Sequence, residues 1–427
     1  MLGDSIFALS SGAPPAAIAV VRISGPGAGP SLAALAGRVP EARRATLAKL
    51  IEPSSRELLD NAIILFFPGP NSATGEDLAE LHLHGGRSVV RAVTGSLARQ
   101  PGMREAQPGE FTRRAFENGR IDLAEAEGLA DLLASETESQ RRAALTLSEG
   151  KLSRLIEACR EDLLAVSAQV EAVLNFSDEG DVEEEVSLLD SATLGALVER
   201  IDALLAQPPA ERLRDGVRVA IAGPPNAGKS SLINYLAGRS VAITSPQPGT
   251  TRDLVEAPVA IGGVPFLLID TAGLRDSEDE IEAIGVERAK SALAAADIVL
   301  WLGEDDAPAG PATICVQSKS DLGEEPRARP RIRVSSLTGA GMDRLLKQLL
   351  DVAKQLLPVE GDIAVNLRHR AALVECADGL GAAQRTRDLV IAAESLRYAR
   401  AALDRITGRV GVEEMLDGLF GRFCIGK

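Results

Sequence analysis

The chain has 427 residues, more than one hydrophobic core usually organises, so about two to three domains are expected. With 46 Lys and Arg against 61 Asp and Glu, its net charge of −15 argues against nonspecific nucleic-acid binding driven by counterion release and confines any RNA contact to a local surface. No apolar run approaches the roughly 20 residues of a membrane span, and Cys159, Cys315, Cys376 and Cys424, with His82, His84 and His369, form neither a disulfide framework nor a zinc motif.

Met1 to Ser11 lacks the basic and apolar regions of a secretory signal, so a cytoplasmic location is expected. Residues 1 to about 118 read as mixed α/β, with strands predicted over Ala17 to Ser24, Asn61 to Phe67 and Leu78 to His84 between Gly and Pro punctuation. From Ile121 to about Ala206 the apolar residues recur at helical spacing, interrupted only near Asn175 to Val186. The acidic run Asp178 to Glu185 inside that interruption lacks calcium-loop spacing and reads as a solvated loop.

From Gly216 to about Leu357 short β runs alternate with helical segments, as in a parallel sheet with crossovers. Helical periodicity returns from Ala371 to Leu419, so the α/β unit reads as an insertion between two halves of a helical domain. The predicted domains are 1–118, mixed α/β; 119–214, helical; 215–357, a Ras-like P-loop G domain; and 358–427, helical again.

The inserted unit opens with the apolar strand Val217 to Ala222, followed by Gly223-Pro224-Pro225-Asn226-Ala227-Gly228-Lys229-Ser230 and the amphipathic stretch Ser231 to Leu236. This is a P-loop in its strand–loop–helix setting. Its glycines let backbone N–H groups turn inward around phosphate oxygens, Lys229 reaches the β- and γ-phosphates, and the Ser230 hydroxyl is placed to ligate Mg2+.

Three more elements follow in GTPase order. Gly249-Thr250-Thr251-Arg252-Asp253 resembles the switch I threonine motif, in which the Thr251 hydroxyl completes the Mg2+ shell. Asp270-Thr271-Ala272-Gly273 ends a predicted strand, Phe266 to Ile269, and puts a carboxylate beside the metal. Ser318-Lys319-Ser320-Asp321 follows the predicted strand Thr313 to Gln317, and Asp321 can accept from both the ring N–H and the exocyclic amine of guanine. Ser318 replaces the usual Asn, removing an amide that buttresses the pocket, so a lower GTP affinity is expected. Ser335-Ser336-Leu337 before Thr338-Gly339 reads as the last base-contacting loop.

Only Gly303 to Ala312 joins the Trp301 and Cys315 strands, too short a link for a full crossover helix. Leu274 occupies the position of the water-orienting glutamine of Ras-type sites and cannot polarise water, so the acidic run Asp279-Glu280-Ile281-Glu282 supplies the candidates.

These motifs, with Gly285-Val286-Glu287-Arg288-Ala289, resemble the MnmE family of tRNA-modifying GTPases, and the similarity extends over nearly the whole chain. It is carried by Val20 to Pro26, Thr74-Gly75-Glu76-Asp77 with Glu80, His84-Gly85-Gly86, Gly109-Glu110-Phe111-Thr112, Asn118 to Glu127, and the closing Phe423-Cys424-Ile425-Gly426-Lys427. The resemblance implies Glu282, in addition to Lys229, as a catalytic residue, positioning the attacking water through a second water. It implies K+ held by Asn226, Ser245, Gln247 and Thr250, with Ser245-Pro246-Gln247-Pro248-Gly249-Thr250-Thr251 and Ser231 in the nucleotide site.

It further implies a homodimer that binds 5-formyltetrahydrofolate through Arg22, Glu80, Arg120 and Lys427. With the FAD protein MnmG, as a heterotetramer, such a protein modifies carbon 5 of the wobble uridine of certain tRNAs. Cys424 reads either as a reactive thiol near the one-carbon unit or as an exposed free thiol. The alternative function is a GTP-controlled RNA or ribosome assembly factor, which a GXXG RNA module or a strongly basic appendage would favour; the sequence has neither.

Overall fold

The computed structural model describes residues 4–176, 192–239, 241–242, 255–270, 291–304, 312–323, 331–359, 361–410, 413–421 and 423–426. The chain forms two compact units, Met1–Ala130 with Thr407–Lys427, and Asp131–Ile406.

The first unit is built on a six-stranded sheet of β1 (Ser5–Leu9), β2 (Ile18–Ser24), β3 (Thr46–Ile51), β4 (Leu58–Phe67), β5 (Leu78–His84) and β6 (Met103–Glu105), in the order β3-β4-β5-β2-β1-β6. Strand alternation divides its side chains between two faces. Phe7, Val21, Ile23, Ile64, Leu81 and Leu83 are buried with Leu32 and Leu35 of α1 (Ala28–Ala36) and Val93 and Leu97 of α2 (Arg87–Ala98). On the other face Ile6 and Ala8 pack with Ala106 and with Phe111 of α3 (Glu110–Glu117). The strands predicted near Val20, Ile64 and Leu81 are present, while β1, β3 and β6 are additional. The first turns of α4 (Leu123–Ala134) close this unit, burying Leu123 and Ala126 with Leu416, Phe420 and Phe423 of the C-terminal segment.

The second unit begins with α5 (Glu138–Ser148), α6 (Lys151–Phe176) and α7 (Ala192–Ala206). The predicted helical stretch is broken at more points than its periodicity indicated. Thr137 starts α5 with a capping box, its hydroxyl accepting from Gln140 N while the Gln140 side chain reaches back. Gly150, at φ +75, turns the chain into α6. The acidic run Asp178 to Glu185 lies outside the described residues.

After α8 (Glu211–Asp215) come β7 (Val217–Ala222), α9 (Lys229–Arg239), β8 (Val241–Ala242), β9 (Val255–Ile261), β10 (Val264–Asp270), β11 (Ile298–Trp301), β12 (Ala312–Gln317), β13 (Ile332–Arg333) and α10 (Met342–Leu356). They form a seven-stranded sheet, β13-β12-β11-β7-β10-β9-β8, in which only β9 runs against the rest, pairing antiparallel with both β10 and β8. Its apolar strands bury Val219, Ile221, Phe266, Leu268, Leu300 and Val316 against Leu232 and Leu236 of α9 and Leu345 and Leu349 of α10. β11 and β12 are parallel neighbours, as expected, and the described part of their link, 302–304, contains no helix. Finally α11 (Leu367–Arg385) and α12 (Leu389–Thr407) follow, with α13 (Glu413–Phe420) back in the first unit.

Candidate functional site

The P-loop forms where β7, buried between β10 and β11, releases the chain at Gly223. Gly223 adopts φ +151, and a Cβ there would stand 2.9 Å from Leu302 Cβ and 3.0 Å from Leu302 C. Asn226 at φ +59 and Gly228 at φ +88 complete the turn into the N-terminus of α9, a setting suited to an anion. Lys229 is buried, and its Nζ donates to Gly223 O at 2.9 Å and Pro224 O at 2.8 Å, across the mouth of the loop.

The parallel register sets Asp270 of β10 beside Ile221 of β7 and brings its carboxylate to the start of α9. There the exposed Ser230 donates Oγ–H to Asp270 Oδ2 at 3.0 Å, while Ser231 is also exposed. A hydroxyl and a carboxylate, two hard oxygen donors, suit the holding of a magnesium ion.

The base loop lies at the end of β12. Ser318 Oγ donates to Ala227 O, and Lys319, in left-handed backbone at φ +57, donates Nζ–H to Asn226 O at 2.7 Å. At residue 318 a serine hydroxyl, in place of the usual amide, bonds the P-loop backbone. Asp321 is exposed on the short 3-10 turn Ser320–Leu322, which is held by Ser320 N donating to Val334 O. In the next loop the buried Ser335 accepts from Thr338 N at 3.1 Å; Ser336 is half-buried and Leu337 exposed. Ser245 to Thr251, Thr271, Ala272, Gly273, Leu274 and Glu282 lie outside the described residues.

A second polar cluster sits on the sheet of the first unit. Antiparallel pairing sets Arg22 opposite Glu80, and the guanidinium donates to Glu80 Oε1 at 2.9 and 3.2 Å. His82, one alternation along β5, reaches Glu80 Oε2 at 3.2 Å, and Arg22 also stands 5.9 Å from the centroid of the Phe111 ring. Arg120 is exposed, with its stem over Gly75 and the 74–75 turn fastened to β2 by Thr74 Oγ1 and Ser24 Oγ at 2.7 Å.

The C-terminus comes to this same sheet. Ser10 Oγ donates to Gly426 O at 2.8 Å, and Pro108 bridges Ile425. Lys427 lies outside the described residues, but its neighbour Gly426 is thus held beside Ser10, whose N–H donates to Val20 O. The half-buried Arg22–Glu80 pair offers a carboxylate edge that suits the N–H groups of a pteridine, one end of a folate.

His82 was not singled out as a site residue, although its place two residues from Glu80 gives it the same face. Equally unforeseen is the charge network at the edge of this unit, where Arg104 Nη1 donates to Glu110 Oε2 at 2.8 Å and Arg114 bonds Asp4, Glu76 and Glu110. Burial alone would raise the Glu110 carboxyl, but bonds from Arg104 and the Gln107 N–H hold it below its ordinary value. Its residues are spread from 4 to 114, and no local spacing marks them.

Two family profiles match the chain: that described as GTP-binding protein TrmE N-terminus over residues 5–120, and that described as MnmE helical domain over residues 123–424. The tRNA modification GTPase MnmE of Rhizorhabdus wittichii is 57% identical, covering 99% of this chain and 97% of its own. That of Erythrobacter litoralis is 55% identical, covering 99% and 100%. Among solved structures, the G domain of the T. maritima FeoB iron transporter aligns with 32% of this chain and 98% of its own at 24% identity, with a TM-score of 0.23. Joined to the P-loop, the Ser230–Asp270 pair and the strapped base loop, the near full-length identity leads to one assignment: the chain belongs to the MnmE family of tRNA modification GTPases.

Proposed function

We propose that this chain is a GTP hydrolase whose cycle serves modification of carbon 5 of the tRNA wobble uridine, installing a carboxymethylaminomethyl or aminomethyl group. The observation that carries the reading is the convergence of Lys229, Ser230 and Asp270 on one P-loop in a chain 57% identical to a tRNA modification GTPase. A cytoplasmic homodimer, an MnmG-type FAD partner in a heterotetramer, and a 5-formyltetrahydrofolate bound by Arg22, Glu80, Arg120 and Lys427 belong to the same proposal.

The chemistry follows from groups whose present bonds are exchangeable. Lys229 Nζ holds two carbonyls at the loop mouth and would trade them for β- and γ-phosphate oxygens, which repay its burial with charge-assisted bonds. Ser230, Asp270 and Thr251 would hold Mg2+, which supplies charge neutralisation across the phosphates. Asn226, Ser245, Gln247 and Thr250 would hold K+, which supplies the positive charge an arginine finger provides in other GTPases. With Leu274 unable to orient water, Glu282 would do so through a second water.

Nucleotide turnover and tRNA composition test the reading together. GTP should be hydrolysed in preference to ATP, and wobble uridines in tRNA from cells lacking the chain should lose the modification by mass spectrometry. Equal turnover of both nucleotides refutes the GTPase; unchanged uridines would favour the assembly-factor alternative.

A further inference from the structure

Residue 318 begins the base loop, yet its side chain faces the P-loop. Ser318 Oγ donates to Ala227 O, and a Cβ added to Gly228 would lie 3.4 Å from Ser318 Oγ. A carbonyl can only accept, so this bond uses the single proton of the serine hydroxyl. An asparagine amide has two N–H donors and a carbonyl, enough to strap the P-loop and still donate to a base. Lys319 turns its ammonium the same way, onto Asn226 O at 2.7 Å.

Guanine and adenine both present an acceptor at N7, and guanine adds another at O6. A hydroxyl that has spent its proton on Ala227 O can donate to neither. We infer that Ser318 is a positioning residue that straps the P-loop and leaves N7 of the bound purine unread, so that guanine selection rests on the Watson–Crick edge facing Asp321. The pocket then takes guanine nucleotides that lack the N7 acceptor as readily as GTP. This inference rests on the GTPase reading above.

Calorimetric titration of the full chain with GDP, 7-deaza-GDP, IDP and ADP separates the two claims. GDP and 7-deaza-GDP should bind within about twofold of each other, and IDP, which lacks the 2-amino group, about tenfold more weakly. A loss of more than about threefold on 7-deaza-GDP, with GDP still preferred over ADP, overturns the inference and leaves the reading intact. Equal binding of ADP and GDP sinks the reading itself.

Ser318→Ala removes the strap and should weaken GDP and 7-deaza-GDP by one common factor, about three- to tenfold. Ser318→Thr, which keeps the hydroxyl, should restore both, and circular dichroism melting checks that each variant is folded. Unchanged affinity in a folded Ser318→Ala protein overturns the strap.

Discussion

Replacing Gly426 by alanine tests whether the C-terminus completes the N-terminal cluster. Gly426 sits at φ +94, and a Cβ there would stand 2.2 Å from Leu9 O and 2.9 Å from Leu9 C. Both are backbone atoms, so no rotamer change relieves the overlap. An L-residue held in left-handed backbone costs about 1–2 kcal/mol. The Ser10–Gly426 bond and the Pro108–Ile425 bridge, lost if the tail moves away, contribute about 1 kcal/mol each. Those two contacts oppose release and roughly offset the backbone strain, so the unrelieved 2.2 Å overlap with Leu9 O decides for release of residues 424–427, while the buried Phe423, worth roughly 1.5–3 kcal/mol, keeps the rest of the segment in place. Lys427 would then follow a residue no longer held at Ser10, and the charge-assisted contact proposed for it with the folate tail is worth about 1.5–3 kcal/mol. Affinity for 5-formyltetrahydrofolate should therefore fall about ten- to hundredfold by calorimetry, with GTP turnover changed less than about twofold. Unchanged folate affinity, or an equal fall in GTP turnover, would refute the reasoning.

Glu282→Ala should slow GTP hydrolysis about 10²-fold in single-turnover assays while leaving nucleotide affinity intact, because water is positioned only on the way to the transition state; a parallel loss of affinity counts against that role. Cys424 is exposed, whereas burial raises the Cys159 thiol and pushes Cys376 up to about 12. A thiol reagent at pH 8 should consequently label Cys424 quickly and reach Cys159 and Cys376 only after unfolding, and rapid labelling of either in the native protein contradicts the packing. Glu110 is held below its ordinary 4.5, so its contribution to stability is present above that value and is lost as the pH falls through its lower folded value. Urea melts between pH 6 and 3 should show stability declining across that window, and Arg104→Ala should flatten the decline; an identical slope in the variant would dismiss the network as a source of acid sensitivity.

Local sequence determined much of this protein. The P-loop needs a buried strand, glycines where backbone must turn inward and a helix start, all within residues 217–236, and the structure has them there. The apolar alternation of β2 and β5 likewise sufficed to locate those strands, because a strand's pattern is written in its own residues. Spacing could not disclose the short β6, three residues with little apolar signal that exist through parallel pairing with β1. Nor could it disclose that α4 and α5 are separate helices, since a Thr137 capping box interrupts an otherwise continuous apolar period.

The site's decisive contacts are long-range: Ser318 to Ala227, 91 residues apart, and Ser10 to Gly426, 416 apart. Both are side-chain bonds to backbone carbonyls, and a serine carries no sequence mark of which carbonyl it will meet. Only the assembled sheet, by setting β12 next to β11 and β11 next to β7, brings the base loop to the P-loop. In the other unit, burial of Phe420 and Phe423 draws the last residues back onto the sheet. The partner of a hydrogen-bonding side chain is chosen by packing that sums apolar contacts over the whole unit, which no local pattern encodes.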